Sequence, residues 1–540
     1  MRTLVFTVAL LALIQPACSS PGDDSPGTGM ESAGWSALPS DEASSGPTAP
    51  TAGGPGPASS PSNTGDGVRS DGRAVGGETS DGGLWGSYGD PFAAQAEPAV
   101  ALTNVSTSLN DVLENGDLEG ACDRYANDPS NEVEKLLCGK WMFFYEGFGT
   151  SGVPKPLVDF LLKHFQEELG IGFSKLGLVA DPSSEAGYPL GMAPNEEETH
   201  ISFTCASCHF APLPDGRFSV GAPNLDYEYG LHTLTFSAFP LVVVNGMGGL
   251  GLGQPVHPDA LERIQPLVDK MDASWGLKAQ FMMNMMSLMG QELPEFPEEQ
   301  QAQYARWLPG TMDFIASPLP LDDGVDVVSK ISAIYGIPTS EEGEEAGMLH
   351  AMLGSAGNTQ TTEGFLELFV DFGGGEPSAW DSEDFEPLLA YIESLRPPKP
   401  PQQPEELVEA GEQVFVEAGC VDCHQGPRGS GVRLFSFEEI GTDDALKQWM
   451  DPGLTGEPCC EKGLEDHPLT YSLKSPRLVG LWAMERFLHN GSVGSLDELL
   501  CLGPATTPID EIAYGNGGHE FGCDLSTEDK VALITYLESH

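Results

Sequence analysis

Basic side chains are scarce in this sequence. Its 540 residues hold 25 Lys and Arg against 81 Asp and Glu, a formal net charge of −56. A surface that negative repels polyanions, which excludes binding to nucleic acid or to anionic lipid headgroups. The acid excess itself reads as a solvated surface. Long apolar runs are lacking too. The stretch Leu4–Ile14 is too short for a bilayer, which needs about 20 residues, and no later segment is long and apolar enough. Large apolar side chains are sparse from residue 18 to about 104, where Ser, Gly, Pro and Asp dominate. Such a segment buries too little surface to offset chain entropy, so 18–104 is expected to be a disordered tether.

What is present first concerns export. Arg2, the apolar run and Gln15-Pro16-Ala17-Cys18 have the layout of a signal peptide over 1–17. The Ala17-Cys18 junction is similar to that of a bacterial lipoprotein, in which the Cys is lipidated, though Gln15 stands where that pattern prefers Leu. Membrane attachment would then run only through a lipid on Cys18, and the expected location is extracytoplasmic, in the periplasm or at the outer surface. Eleven cysteines fit an oxidising compartment. Four lie in two motifs described below and one is Cys18, leaving Cys122, Cys138, Cys459, Cys460, Cys501 and Cys523, read as disulfides. Cys122 and Cys138 are natural partners, closing a loop worth about 3 kcal/mol on the chain-entropy model. A bond between the neighbours Cys459 and Cys460 would be strained, so these are expected to pair with Cys501 and Cys523.

The proline-rich break Arg396-Pro397-Pro398-Lys399-Pro400-Pro401 divides a larger domain, 105–398, from a smaller one, 405–540. Apolar residues recur at helical spacing in Val158, Leu161, Leu162, Phe165 and Leu169, in Leu388, Tyr391, Ile392 and Leu395, and in Leu407, Ala410, Gly411, Val414 and Phe415. Ser526-Thr527-Glu528-Asp529 opens a last helix carrying Leu533, Tyr536 and Leu537. The expected fold is mainly α, with two cytochrome-c-like helical domains, the first enlarged by long loops and extra helices.

Each domain holds one Cys-x-x-Cys-His pentapeptide: Cys205, Cys208 and His209 in the first, Cys420, Cys423 and His424 in the second. Two cysteines at this spacing span the edge of a haem through thioether bonds, and the next residue places an imidazole under the iron. A zinc site would need a second Cys or His pair close by, which neither motif has. Two covalently bound c-type haems are therefore expected. For the opposite face of the second iron the best candidate is His489, in the turn Phe487-Leu488-His489-Asn490-Gly491-Ser492, with Met484 as a substitute. For the first iron, His200, His232, His257 and His350 are candidates, and a Met cluster at 282, 283, 285, 286 and 289 reads as pliable core. His232 and His350 are also the candidates for a catalytic acid–base residue over the first haem.

Taken in order, these motifs resemble the bacterial dihaem cytochrome c peroxidase superfamily, over about residues 140–540. Gly221-Ala222-Pro223-Asn224-Leu225-Asp226 after the first motif, Pro309-Gly310-Thr311-Met312-Asp313, Ile334-Tyr335-Gly336-Ile337-Pro338, Ser475-Pro476-Arg477-Leu478-Val479-Gly480-Leu481-Trp482 and Gly518-His519-Glu520-Phe521-Gly522 are similar to its rubber-oxygenase-like branch. The resemblance implies a reactive N-terminal haem and a C-terminal relay haem. It implies His489 as relay ligand, since the peroxidase branch uses a Met fourteen residues later, where this chain has Gly503. Arg477 would bond a haem propionate. A calcium ion between domains occurs in relatives, though no acidic loop here singles itself out. The chain departs from the oxygenases in its compact C-terminal domain and in the stretch Leu349–Asn358, which lacks their aromatic residues.

The expected function is a peroxidase- or oxidase-like oxidoreductase, its partners a small oxidant (peroxide or dioxygen) and a redox donor or acceptor. The alternatives are a non-catalytic dihaem electron carrier and a haem oxygenase acting on an apolar substrate. Mass spectrometry of the exported protein after acid–acetone extraction should show two covalent haem additions per chain. One addition, or bound zinc, contradicts the expectation.

Overall fold

The apolar stripes become helices that bury them. A computed structural model describes Leu84, residues 90–93 and, from Val100 to His540, all but 115–117, 119, 151, 196, 247–254, 287–295, 314–327, 349–353, 355–361, 373–374, 376–379, 381, 451–471, 505–514 and 516. The expected signal peptide, Cys18, Cys459, Cys460, His350 and most of the expected tether lie outside the described residues.

The body is mainly helical, with four small antiparallel sheets among the described residues. Helix α1 (Glu132–Tyr145) is capped by Asn131, whose side chain accepts from the backbone N–H groups of Val133 and Glu134. It buries Leu136, Leu137, Phe143 and Phe144. Helix α2 (Lys155–His164) buries Val158, Leu161 and Leu162. The expected stripe continues past its end, because Phe165 leaves helical geometry while Phe165 and Leu169 stay buried. A short helix α3 (Cys205–His209) carries the first motif. Helix α4 (Tyr229–Thr233) passes through a π turn, Leu234–Ala238, into α5 (Phe239–Gly246). Helices α6 (Pro258–Asp272), α7 (Trp275–Met286), α8 (Ser340–Ala346) and α9 (Ser382–Ser394) follow, and α9 buries Leu388, Tyr391 and Ile392. Helix α10 (Glu405–Glu417) and the last helix, α11 (Thr527–Leu537), bracket the second motif. Among the described residues no helix is long and apolar enough to cross a membrane.

The strands serve as local clasps. Strands β1 (Val105–Ser106), β5 (Phe210–Pro212) and β6 (Phe218–Val220) form one sheet in the order β1-β6-β5. Strands β2 (Val153–Pro154), β3 (Met192–Pro194) and β4 (His200–Phe203) form another, with β4 central. β7 (Thr311–Asp313) pairs with β8 (Val328–Lys330), and β9 (Leu434–Ser436) with β10 (Ser472–Lys474), Lys474 lying opposite Leu434.

The core of the described residues falls into three apolar clusters. One gathers α2, α4, α5 and α6 side chains, and a second gathers α1 and α9 with Val479 and Ala483 from beyond the proline-rich break. The third joins Phe415 of α10 to Leu533 and Tyr536 of α11. Phe92, upstream of the expected domain start, is built into this third cluster. It stacks on His540 at 4.0 Å and meets Phe415 and Tyr536 edge-on, while Pro91 accepts a hydrogen bond from the Arg428 backbone.

Two disulfides are formed among the described residues. Cys122 pairs with Cys138, as spacing suggests. Cys501 pairs with Cys523, and not with Cys459 or Cys460. The reason is tertiary: Cys501 follows the short helix Leu496–Leu499, which packs on α11, and Cys523 lies in the turn entering α11, so one contact brings both together.

Helices α10 and α11 cross at Gly411, where an added Cβ would fall 2.1 Å from the Ala532 carbonyl oxygen. Leu407, expected on the same buried stripe, is exposed instead. Alanine favours a helix interior by up to about 1 kcal/mol over glycine, yet overpacking costs about 1–3 kcal/mol. Gly411→Ala should therefore lower the thermal unfolding midpoint. An unchanged or raised midpoint would show that the crossing can open freely.

Candidate functional site

The second motif is set by the end of α10. Gly419 takes the left-handed conformation (φ +78°) and turns the chain into a tight turn over Cys420–Asp422, with the His424 N–H donating to the Cys420 carbonyl at 3.1 Å. Cys420, Cys423 and His424 thereby line one cavity of about 470 Å³, within the roughly 300–1,000 Å³ of cofactor pockets. Its wall is largely apolar, from Phe415, Leu473, Leu478, Phe487, Leu496 and Leu533. His424 Nδ1 donates to the Gly429 carbonyl at 2.7 Å. That bond selects the tautomer with Nε2 as acceptor, the form that ligates a metal. Burial pushes the His424 pKa down to about 4, so the ring is neutral near pH 7.

His489 lines the same cavity. Leu488 (φ +60°) and Gly491 (φ +74°) bend the chain on either side, and a Phe487–Val493 bridge closes the turn. The Lys330 N–H donates to the His489 carbonyl at 2.9 Å. The imidazole is buried, burial pushes its pKa down to about 4, and Nδ1 has no hydrogen-bond partner. Its Nε2 lies 3.9 Å from the Asp443 carboxylate, and Phe437 meets the ring edge-on. Met484 also borders the cavity. So does His519, which the sequence does not single out as a ligand. It lies deep in the protein with part of its surface toward the cavity, and its φ is +54°. Only its Gly-rich surroundings hint at a special turn.

The first motif is held by its flanks. Thr204 Oγ1 donates to the Phe144 carbonyl, and Ser207 Oγ to the Thr204 carbonyl. The stretch Gly221–Asn224 grips the motif's carbonyls: Gly221 N–H donates to His209 and Asn224 N–H to Cys208, both at 2.8 Å, and Asn224 Nδ2 to Ser207 at 3.0 Å. Cys205, Cys208 and His209 keep some accessible surface yet lie deep in the protein, so that surface faces internal space. The His209 imidazole faces the backbone of Ser332, its hydrogen-bonding neighbour.

His232 is fully buried on α4, and neither ring nitrogen has a hydrogen-bond partner. Phe203, Tyr227 and Phe236 surround it, with ring centroids at 4.8, 5.8 and 4.6 Å. Phe203 precedes Cys205 by two residues, and Tyr227 lies close to Cys208. Burial pushes the His232 pKa down to about 3. Leaving a buried polar group unsatisfied costs about 1–3 kcal/mol, and the adjoining π turn is a geometry common at functional sites. The other first-haem candidates have local roles. His257 caps α6, accepting from the Asp259 N–H, and His200 contacts Thr199 at the start of β4. Met282 packs on the first cluster and Met283 is exposed, while the side chains at 285, 286 and 289 lie outside the described residues. Among the tryptophans, Trp275 is exposed, Trp307 stacks on Tyr304, Trp380 packs on Phe148, and Trp482 donates to the Pro398 carbonyl.

Arg477 lines the second cavity and donates to the Ala333 carbonyl at 2.6 Å. Arg428, four residues after His424, is held by Glu342 of α8 at 2.8 Å and by the Gly336 carbonyl. These donor sets fit covalently held haem: paired thiols one turn from an imidazole, apolar walls, and orphaned buried ring nitrogens. Among the described residues no group of three or more His, Cys, Asp or Glu is arranged to hold a metal ion alone.

No family model and no curated protein matches this chain. Among solved structures it is similar to the hydrazine synthase of Kuenenia stuttgartiensis, at 16% identity over 44% of this chain and 79% of that one. The TM-score is 0.25, too low for the likeness to bear on fold or function.

His489→Ala should turn one low-spin ferric signal high-spin and leave the other haem unchanged, read by absorption and electron paramagnetic resonance. Retention of both signals would assign that position to Met484 or His519.

Proposed function

We propose that this chain is an exported, extracytoplasmic dihaem c-type cytochrome and an oxidoreductase of the dihaem peroxidase kind, built from two cytochrome-c-like domains of which the first is enlarged. The carrying observation is an asymmetry between the motifs. His424 shares its cavity with a second imidazole set in a tight turn, His489. Beside the first motif stands instead an aromatic cage around an imidazole with no partner, His232. When bound, the haem at Cys205–His209 would supply the reaction with peroxide or dioxygen, and the haem at Cys420–His424 the exchange of electrons with a redox partner.

The side chains then divide the work. His209 and His424 would hold the two haem irons, and His489 would close the second site. Burial keeps His232 neutral, so it enters as a proton acceptor for a bound oxidant, and Phe203, Tyr227 and Phe236 exclude bulk water around it. His350 is the other acid–base candidate and lies outside the described residues. A lipid on Cys18 would tether the protein to a membrane. The orphaned His232 nitrogens also suit a direct iron ligand, and the protein would then only carry electrons.

Cyanide or carbon monoxide should bind one haem per chain, with the other haem reduced if necessary. His232→Phe should lower peroxide turnover by about 10²–10⁴-fold, the usual worth of a positioned acid–base group, without altering the ferric spin state. A low- to high-spin change in this variant favours the ligand role. No binding in any redox state leaves only the carrier reading.

A further inference from the structure

The second cavity has a charge pattern that its haem ligands do not explain. Acidic residues outnumber basic ones 81 to 25 in this chain. Yet the described residues lining the cavity include three basic side chains, Lys330, Lys474 and Arg477, against one carboxylate, Asp422, with the Asp443 carboxylate standing 3.9 Å from His489. All three lie deep in the protein and keep part of their surface toward the cavity, and burial holds their pKa values below the usual range. Their backbone is fixed from separate directions. Lys330 ends β8, and its N–H holds His489. Lys474 ends β10, paired with Leu434. Arg477 precedes Leu478, whose N–H donates to the Arg428 carbonyl. Lys330 Nζ approaches the Arg486 carbonyl only at 3.4 Å.

A fourth group converges on this wall. Tyr335 lines the cavity, is fully buried, and has a hydroxyl without a hydrogen-bond partner. Its place depends on Gly480, where a Cβ would fall 2.1 Å from the Tyr335 hydroxyl. Like charges around a low-dielectric cavity repel one another, and each buried ion costs several kcal/mol in lost hydration. An anionic occupant offsets both terms. The planar fork of Arg suits one carboxylate, and two ammonium groups and a phenol can serve a second.

We propose that Lys330, Lys474, Arg477 and the Tyr335 hydroxyl form a dicarboxylate-binding wall that receives both propionates of the haem attached at Cys420–His424. The inference rests on the haem reading above. Lys330, Lys474 and Tyr335 are thus cofactor-binding residues that also set that haem's reduction potential. Reduction makes the haem more negative by one charge, so neighbouring cations favour the reduced form.

Potentiometric titration of the full exported protein, with covalent haem counted by mass spectrometry, tests this. Lys330→Met and Lys474→Met should each retain two haems and lower the midpoint potential of the haem whose spin state His489→Ala changes, with little effect on the other. Lys474→Arg should restore most of the loss. Tyr335→Phe, nearly isosteric, should lower the same potential by a smaller step. Two haems with unchanged potentials in the Lys and Tyr variants, or equal shifts at both haems, overturn the wall. A wild-type protein without covalent haem overturns the earlier reading instead. If Lys474→Met fails to assemble, Lys330→Met and Tyr335→Phe decide by the same criterion.

Discussion

The backbone from Lys330 to Gly336 is the constraint on which both motifs depend. Its N–H groups are committed one after another: Lys330 to His489, Ile331 to Gly310, Ile334 to Gly221, and Gly336 to Leu395. Gly221 in turn donates to His209, and Gly310 to Tyr227 of the His232 cage. Ala333 and Gly336 accept from Arg477 and Arg428. A single segment is therefore tied to both sites. Moving it would shift the His489 turn, the first motif and the cationic wall together.

Burial governs the chemistry that this frame allows. In water an imidazole is divided between its two protonation forms near neutrality. Here His209, His232, His424 and His489 are all pushed down by desolvation to about 3 or 4 and are neutral at pH 7. Neutral rings can accept a proton or a metal without first losing one. The cost falls on solvation, and some is recovered locally, as when His424 Nδ1 donates to Gly429. Where no such bond forms, at His232 and at Nδ1 of His489, the ring nitrogen is left without a partner inside the protein. Charge is distributed as unevenly as hydrogen bonding: the acidic excess is spread through the chain, whereas the second cavity gathers cations.

The resemblance to dihaem peroxidases rests on ordered motifs, and the structure supplies a physical reason for several of them. Gly221–Asn224 binds the carbonyls of the first motif. The Pro309-Gly310 stretch supports Tyr227, and Ser475–Gly480 builds the cavity wall that holds Tyr335. A function for those positions follows from backbone hydrogen bonding and close packing, with no appeal to relatives.

By itself the sequence determined what depends on neighbours along the chain. Helical stripes such as Leu388, Tyr391 and Ile392 were legible because helix burial repeats every three to four residues. Each Cys-x-x-Cys-His could be read because two thiols and an imidazole within five residues carry their geometry locally, and Cys122–Cys138 followed from isolation and short spacing. The crossing at Gly411 was also legible, since a small residue on an apolar face marks close approach. Only the tertiary structure decided what depends on remote segments meeting. It set Cys501 opposite Cys523, brought Phe92 onto His540, and placed His519 beside His424 and His489. It also gathered Lys330, Lys474 and Arg477 from separate strands and a loop around one cavity. No periodicity encodes such encounters, because they arise from packing and backbone hydrogen bonds between elements far apart in the chain.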